Sequence, residues 1–113
     1  ATTGSCGAYA AGILTLGAGL APKSREISEK DREYINKIRP KLFEFRDWFI
    51  YEFSGVTCKE VQMKIYGRWF NLMLEGEVAK YYAYHTSQKV DCNLVTSKSA
   101  VKVAQILSGS NNP

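Results

Sequence analysis

With 113 residues, 45% of them hydrophobic and 23% charged, the chain suits one folded domain whose core hides about two-thirds of the surface exposed by the unfolded polymer, and its composition excludes disorder and low complexity. The net charge of +4 arises from 15 basic and 11 acidic residues that alternate, as in KSREISEKDREYINKIRPK, and a mixed surface of this kind argues against nucleic-acid binding. The longest apolar stretch, Ala8 to Pro22, is broken by Gly12, Gly17 and Gly19 and falls short of the ~20 residues that span a bilayer, so no membrane span is expected.

The first element is a small-residue helix that starts after Ser5 and runs to about Leu20, with Tyr9, Ile13, Leu16 and Leu20 at three- and four-residue steps. Its alanines and glycines would let a neighbouring helix come close, and Ala21-Pro22-Lys23 closes it. The first residue is Ala1 and no basic region precedes the apolar run, so removal of an upstream segment is expected and the compartment is not specified.

A second helix is expected from Ser28, whose Ser-Glu-Lys-Asp start places an acid at the third helical position. Tyr34, Ile35 and Ile38 would carry its apolar face, and Pro40 would either kink it or begin a new helix. Leu42, Phe45, Phe49 and Phe53 then repeat at helical spacing, with Trp48 and Ile50 widening the stripe, up to a stop at Ser54-Gly55. This aromatic stripe reads as core in preference to a surface for stacking a cofactor.

Thr57-Cys58-Lys59-Glu60 is a capping box, in which the threonine hydroxyl accepts the third N–H and the glutamate reaches back to the threonine N–H. The helix behind it should end at Tyr66-Gly67, and Arg68 to Lys89 should be helical, either interrupted at Gly76 or in two pieces around it. Asp91 is a favourable cap for a last helix with Cys92, Val95, Ser99, Val103 and Ile106 on one face and Leu94, Val101 and Leu107 alongside. The expectation is an all-α, single-domain bundle of about five helices over residues 1–107, followed by a frayed polar tail over 108–113.

The cysteines give the pattern its chemistry. Ser5-Cys6, Thr57-Cys58 and Asp91-Cys92 each set a cysteine behind a capping residue. A thiol in the first turn of a helix faces unpaired N–H groups and the positive end of the dipole, which can bring its pKa down from ~8.5 to roughly 3.5–7.5. The thiolate is the form that attacks disulfides and binds metals. The plain alternative is that the three are buried as small hydrophobes. Their spacing contains neither CxxC nor CxxCH, which excludes a covalently attached c-type haem.

His85, the one histidine, lies seven residues before Cys92 in a tyrosine-rich stretch. It would complete a Cys3His site with Cys6, Cys58 and Cys92, or favour a neighbouring thiolate; otherwise it is ordinary surface. Tyr81, Tyr82 and Tyr84 could stack on a flat cofactor, line a helix edge or form a subunit interface. Phosphate-binding loops and a GxSxG elbow are missing from the sequence.

Gly4-Ser5-Cys6-Gly7-Ala8, Phe53-Ser54-Gly55-Val56-Thr57-Cys58-Lys59-Glu60-Val61 and Cys92-Asn93-Leu94-Val95, with Ala100 and Ala104-Gln105-Ile106-Leu107 after it, resemble the redox-active family named for its C-GCAxxG-C-C cysteine pattern. The resemblance spans Gly4 to Leu107 and places three of the family's cysteines on Cys6, Cys58 and Cys92. The family's motif glycine falls on Ala11, with Gly12 one step later, and its first cysteine has no counterpart before Cys6. A fourth ligand would then come from a removed segment or from elsewhere.

A similar module occurs in the split-Soret cytochromes. The resemblance implies redox activity, or metal or iron–sulfur binding, through the cysteines, in electron transfer or thiol chemistry with a protein redox partner or a second copy of the chain. The competing expectation is a non-catalytic helical subunit with structural cysteines.

Overall fold

The computed structural model describes residues 4–20, 29–87 and 91–109. Five helices follow one another: α1 (Gly7–Leu20), α2 (Glu29–Phe53), α3 (Cys58–Tyr66), α4 (Glu77–Ser87) and α5 (Cys92–Leu107). The architecture is all-α, as the periodicity predicts; the pairing of Ser5 with Thr57 is a single isolated bridge. The cap expected at Ser28, the Ala21-Pro22-Lys23 stop and the tail beyond Gly109 lie outside the described residues.

α1, α2 and α5 pack against one another. Leu16 is fully buried, and Tyr9, Ile13 and Leu20 pack against the core. Close approach to α2 is possible because position 12 is glycine: a Cβ there would lie 2.6 Å from Phe45 Cε2 and closer still to Cζ. Phe45, Phe49 and Phe53 are buried with Val61, Val95, Val103 and Ile106, so the aromatic stripe is core. Each such side chain contributes about 1.5–3 kcal/mol when removed from water.

Of the two readings of Pro40, a new helix beginning there is the one that fails: α2 passes through Pro40 without dividing, because Pro40 and its neighbours Arg39 and Lys41 are exposed and water can take the carbonyl that the ring deprives of its N–H. Its first half is also largely exposed: Ile35 is open at 43% and Ile38 only half-buried, and Ile50 points outward at 42%. The apolar face begins effectively at Leu42, which packs against the core. Tyr34's side chain lies outside the described residues. The helix ends with Ser54 in the left-handed region, φ 67°.

α3 has the full capping box, with Thr57 Oγ1 accepting the Glu60 N–H at 3.1 Å and Glu60 Oε1 accepting the Thr57 N–H at 3.3 Å. Gly67, at φ 76°, closes the helix and donates to the Met63 carbonyl. Helix was expected from Arg68 onward, but residues 68–76 are irregular and α4 starts at Glu77. Buried Gln62 explains the difference: its Oε1 accepts the Phe70 N–H at 2.8 Å, which draws Phe70 among Tyr66, Tyr81 and Tyr84. A turn from Asn71 to Leu74 and Gly76 at φ 87° then redirect the chain.

Candidate functional site

Cys6 and Cys58 are brought together by the only non-helical pairing among the described residues. Around the Ser5–Thr57 bridge, Cys6 N–H donates to the Val56 carbonyl at 2.7 Å and Cys58 N–H to the Gly4 carbonyl at 3.0 Å. Two chain segments 52 residues apart are thereby held side by side just where each enters a helix. Cys58 is the first residue of α3, as expected. Cys6 is instead the residue before α1: its own carbonyl accepts the Ala10 N–H, while Ser5 is engaged in the bridge.

Cys92 arrives from a third direction as the first residue of α5, behind Asp91, whose Oδ1 accepts the Leu94 N–H at 3.2 Å. Tyr66, from the end of α3, secures it: the phenol oxygen accepts the Cys92 N–H at 3.1 Å and its hydroxyl donates to Cys92 Sγ at 3.6 Å. Tyr84 Oη donates in turn to the Tyr66 carbonyl at 2.8 Å. On the other side of the site, Gln62 Nε2 donates to Cys58 Sγ at 3.3 Å.

The three thiols are free and half-buried, and they line one cavity of about 200 Å³ with Val61, Gln62 and Val95. Burial pushes the Cys58 thiol above its ordinary value, and the neighbouring Cys92 and Cys6 sulfurs push in the same direction. The expectation of a lowered pKa at every helix start therefore fails at Cys58: desolvation and like-charge repulsion exceed the attraction of the helix end. Tyr66 is likewise pushed up to about 12, first by burial and then by Cys92, and Tyr81 is raised by burial and by Cys92.

His85 falls within α4, but its side chain lies outside the described residues. Among the described residues no group of three or more His, Cys, Asp or Glu side chains is arranged to hold a metal ion. The sulfurs share a cavity without forming a ready coordination shell. Of the three tyrosines that could have stacked on a cofactor, lined a helix edge or formed an interface, Tyr81 and Tyr84 pack edge-on against Tyr66 and also touch Phe70. Tyr82 stands outside at 61% exposure.

Sequence reasoning missed Gln62 and Tyr66 as neighbours of the sulfurs. Gln62 carried a signal, since it stands four residues after Cys58 and so on the same helix face. Tyr66 carried none, because 26 residues separate it from the cysteine it holds.

No curated protein and no solved structure matches the chain. A family model described as "Putative redox-active protein (C_GCAxxG_C_C)" matches residues 1–106. With the cysteine motifs of that pattern gathered at one cavity and the match covering nearly the whole sequence, the chain belongs to the C_GCAxxG_C_C family.

Proposed function

We propose that the protein performs thiol–disulfide exchange at Cys58 together with Cys6 or Cys92. The observation that carries the reading is three free, half-buried thiols around a single small cavity, two of them receiving hydrogen bonds from Gln62 and Tyr66. A metal ion or iron–sulfur cluster was the other expectation for these cysteines. The described side chains form no group of three or more that could hold a metal ion, whereas exchange needs only the free thiols themselves.

In the exchange, the thiolate of Cys6 or Cys92 attacks one sulfur of a substrate disulfide, and the departing sulfur leaves with the bond's electron pair and takes a proton. Cys58, whose thiol is raised above its ordinary pKa by burial, then gives up its proton and attacks the mixed disulfide. The second substrate thiol is released as the protein disulfide forms. Two protein thiols become one disulfide, and one substrate disulfide becomes two thiols. Gln62 and Tyr66 hold the sulfur positions through this sequence.

The test is oxidation of the folded protein with diamide, differential alkylation and mass spectrometry. The expected product pairs Cys58 with Cys6 or Cys92 and leaves the third thiol free; Cys58→Ser should abolish the bond. Three thiols inert until the chain is unfolded would overturn the proposal in favour of a helical subunit with structural cysteines. Stoichiometric metal or acid-labile sulfide in anaerobically purified protein would overturn it in favour of a bound cluster.

A further inference from the structure

A second cavity begins where the cysteine cavity ends. A groove of about 330 Å³ runs between α1 and α5, and Ala8 and Thr96 line both spaces. Its volume lies at the lower end of the roughly 300–1,000 Å³ typical of small-molecule sites. Alanines 11, 100 and 104 give it a smooth wall, and among the described residues no charged side chain lines either space. α1 carries no acidic or basic residue in its sequence GAYAAGILTLGAGL, although the chain as a whole has a net charge of +4. A helix without charges on any side would ordinarily be covered all round, yet Ala11 and Thr15 on the groove side are exposed.

Of the hydroxyls in this lining, those of Thr15 and Thr96 donate to the Ala11 and Cys92 carbonyls, but the third is left unanswered. Ser99 is 3% exposed, and its Oγ has no hydrogen-bond partner among the described residues. A buried hydroxyl in that condition costs stability unless something answers it. Ser99 stands seven residues beyond Cys92 on α5, which at 1.5 Å per residue is about 10 Å along the helix from the sulfur.

Taking the thiol–disulfide reading as its basis, we infer that the α1–α5 groove binds the reacting partner, an uncharged dithiol or disulfide carried on a short apolar chain whose hydrogen-bonding group, about 10 Å from its sulfurs, meets Ser99. The sulfurs of the partner enter the cysteine cavity past Ala8 and Thr96 while its chain lies along the alanines. In one direction of the reaction the partner's two thiols reduce the protein disulfide: two S–H bonds and one protein S–S bond are exchanged for one partner S–S bond and two protein S–H bonds. Two electrons and two protons move together, and no further reactant is required. An ionised group at the end of the chain is excluded because nothing in the groove would replace its water.

Dihydrolipoamide and dihydrolipoate serve as probes, since they share the dithiol and the chain and differ at the end group, an amide against a carboxylate. Dithiothreitol is the reductant without a chain. Rates of reduction of the diamide-oxidised protein are measured with each at neutral pH. Dihydrolipoamide should exceed dihydrolipoate on the order of tenfold, against the direction in which the net positive charge of the protein would steer an anion.

Ser99→Ala should lower the dihydrolipoamide to dithiothreitol rate ratio by about three- to tenfold, the worth of one hydrogen bond, and at the same time raise the melting temperature of the free protein. Ala100→Phe, at an exposed helical position in the groove wall, should lower the same ratio by filling the space. Equal rates for the amide and the carboxylate, or a ratio unmoved by both substitutions, would overturn the inference while leaving the exchange chemistry standing. An oxidised protein that dithiothreitol itself cannot reduce would instead remove the thiol–disulfide reading beneath it.

Discussion

Replacing Gly12 by alanine should destabilise the protein although alanine is the better helix former. The added methyl group would lie 2.6 Å from Phe45 Cε2, nearer than side-chain atoms can pack, and Phe45 has no free path since it is 0% exposed. The ring is hemmed in by Tyr9, Trp48 and Phe49, at centroid separations of 5.8, 5.8 and 6.0 Å. Overpacking of this kind costs typically about 1–3 kcal/mol, and the tight enclosure places it in the upper part of that range. The propensity gain of alanine over glycine returns about 1 kcal/mol.

The net loss is thus about 1–2 kcal/mol, or a fall in melting temperature of about 4–8 °C for a domain of this size. Gly17 on the same helix is the control, because nothing lies within 4 Å of a Cβ built there and its backbone is helical. Gly17→Ala should therefore gain about 0.5–1 kcal/mol. Urea unfolding and thermal melts of both variants decide the matter: Gly12→Ala as stable as Gly17→Ala would refute the argument that glycine is required for α1 to reach α2.

Three further outcomes are expected. Thr57→Ala removes the acceptor of the Glu60 N–H and the hydroxyl that donates to Glu60 Oε1, leaves the backbone arm of the capping box in place, and should cost about 0.5–2 kcal/mol at pH 7, read by urea midpoint. Because the threonine contacts hold the Glu60 carboxyl below its ordinary value, that deficit should be constant above the ordinary value and shrink as the pH falls through the folded one. Tyr66→Phe removes the acceptor of the Cys92 N–H and the donor to its sulfur; a loss of about 1–3 kcal/mol is expected, with faster exchange of the Cys92 amide hydrogen, and an unchanged amide would show that the phenol does not hold this cysteine. Stability should also fall in alkali. The Cys58 thiol and the Tyr66 phenol both hold their protons more tightly when folded, so the unfolded chain ionises first: urea midpoints should be level below about pH 9 and decline towards pH 12.

The parts of the fold that were legible in the sequence are those set by neighbours along the chain. The capping box at Thr57, the stop at Gly67 and the Asp91 cap depend on residues one to four positions apart, and the buried face Val95, Ser99, Val103 and Ile106 follows from helical spacing alone. The readings that failed required a partner from afar. Ile35 and Ile38 have the spacing of a buried face, but Ile35 is left exposed and Ile38 is covered only in part. Residues 68–76 have helical composition, but Phe70 N–H is taken by Gln62 and its ring by three tyrosines.

Capping and spacing alone fix a helical protein with one cysteine at the start of α3 and another at the start of α5; the third, expected inside the first turn of α1, lies just before it because Ser5 is taken by the bridge to Thr57. Capping and periodicity are local and survive in any fold. Tertiary structure decided that the three thiols share one cavity, through an antiparallel bridge between segments 52 residues apart and a phenol 26 residues from the cysteine it secures. It also decided the state of Cys58, because burial and neighbouring sulfurs act through space and in this case outweigh the helix end that the sequence supplies.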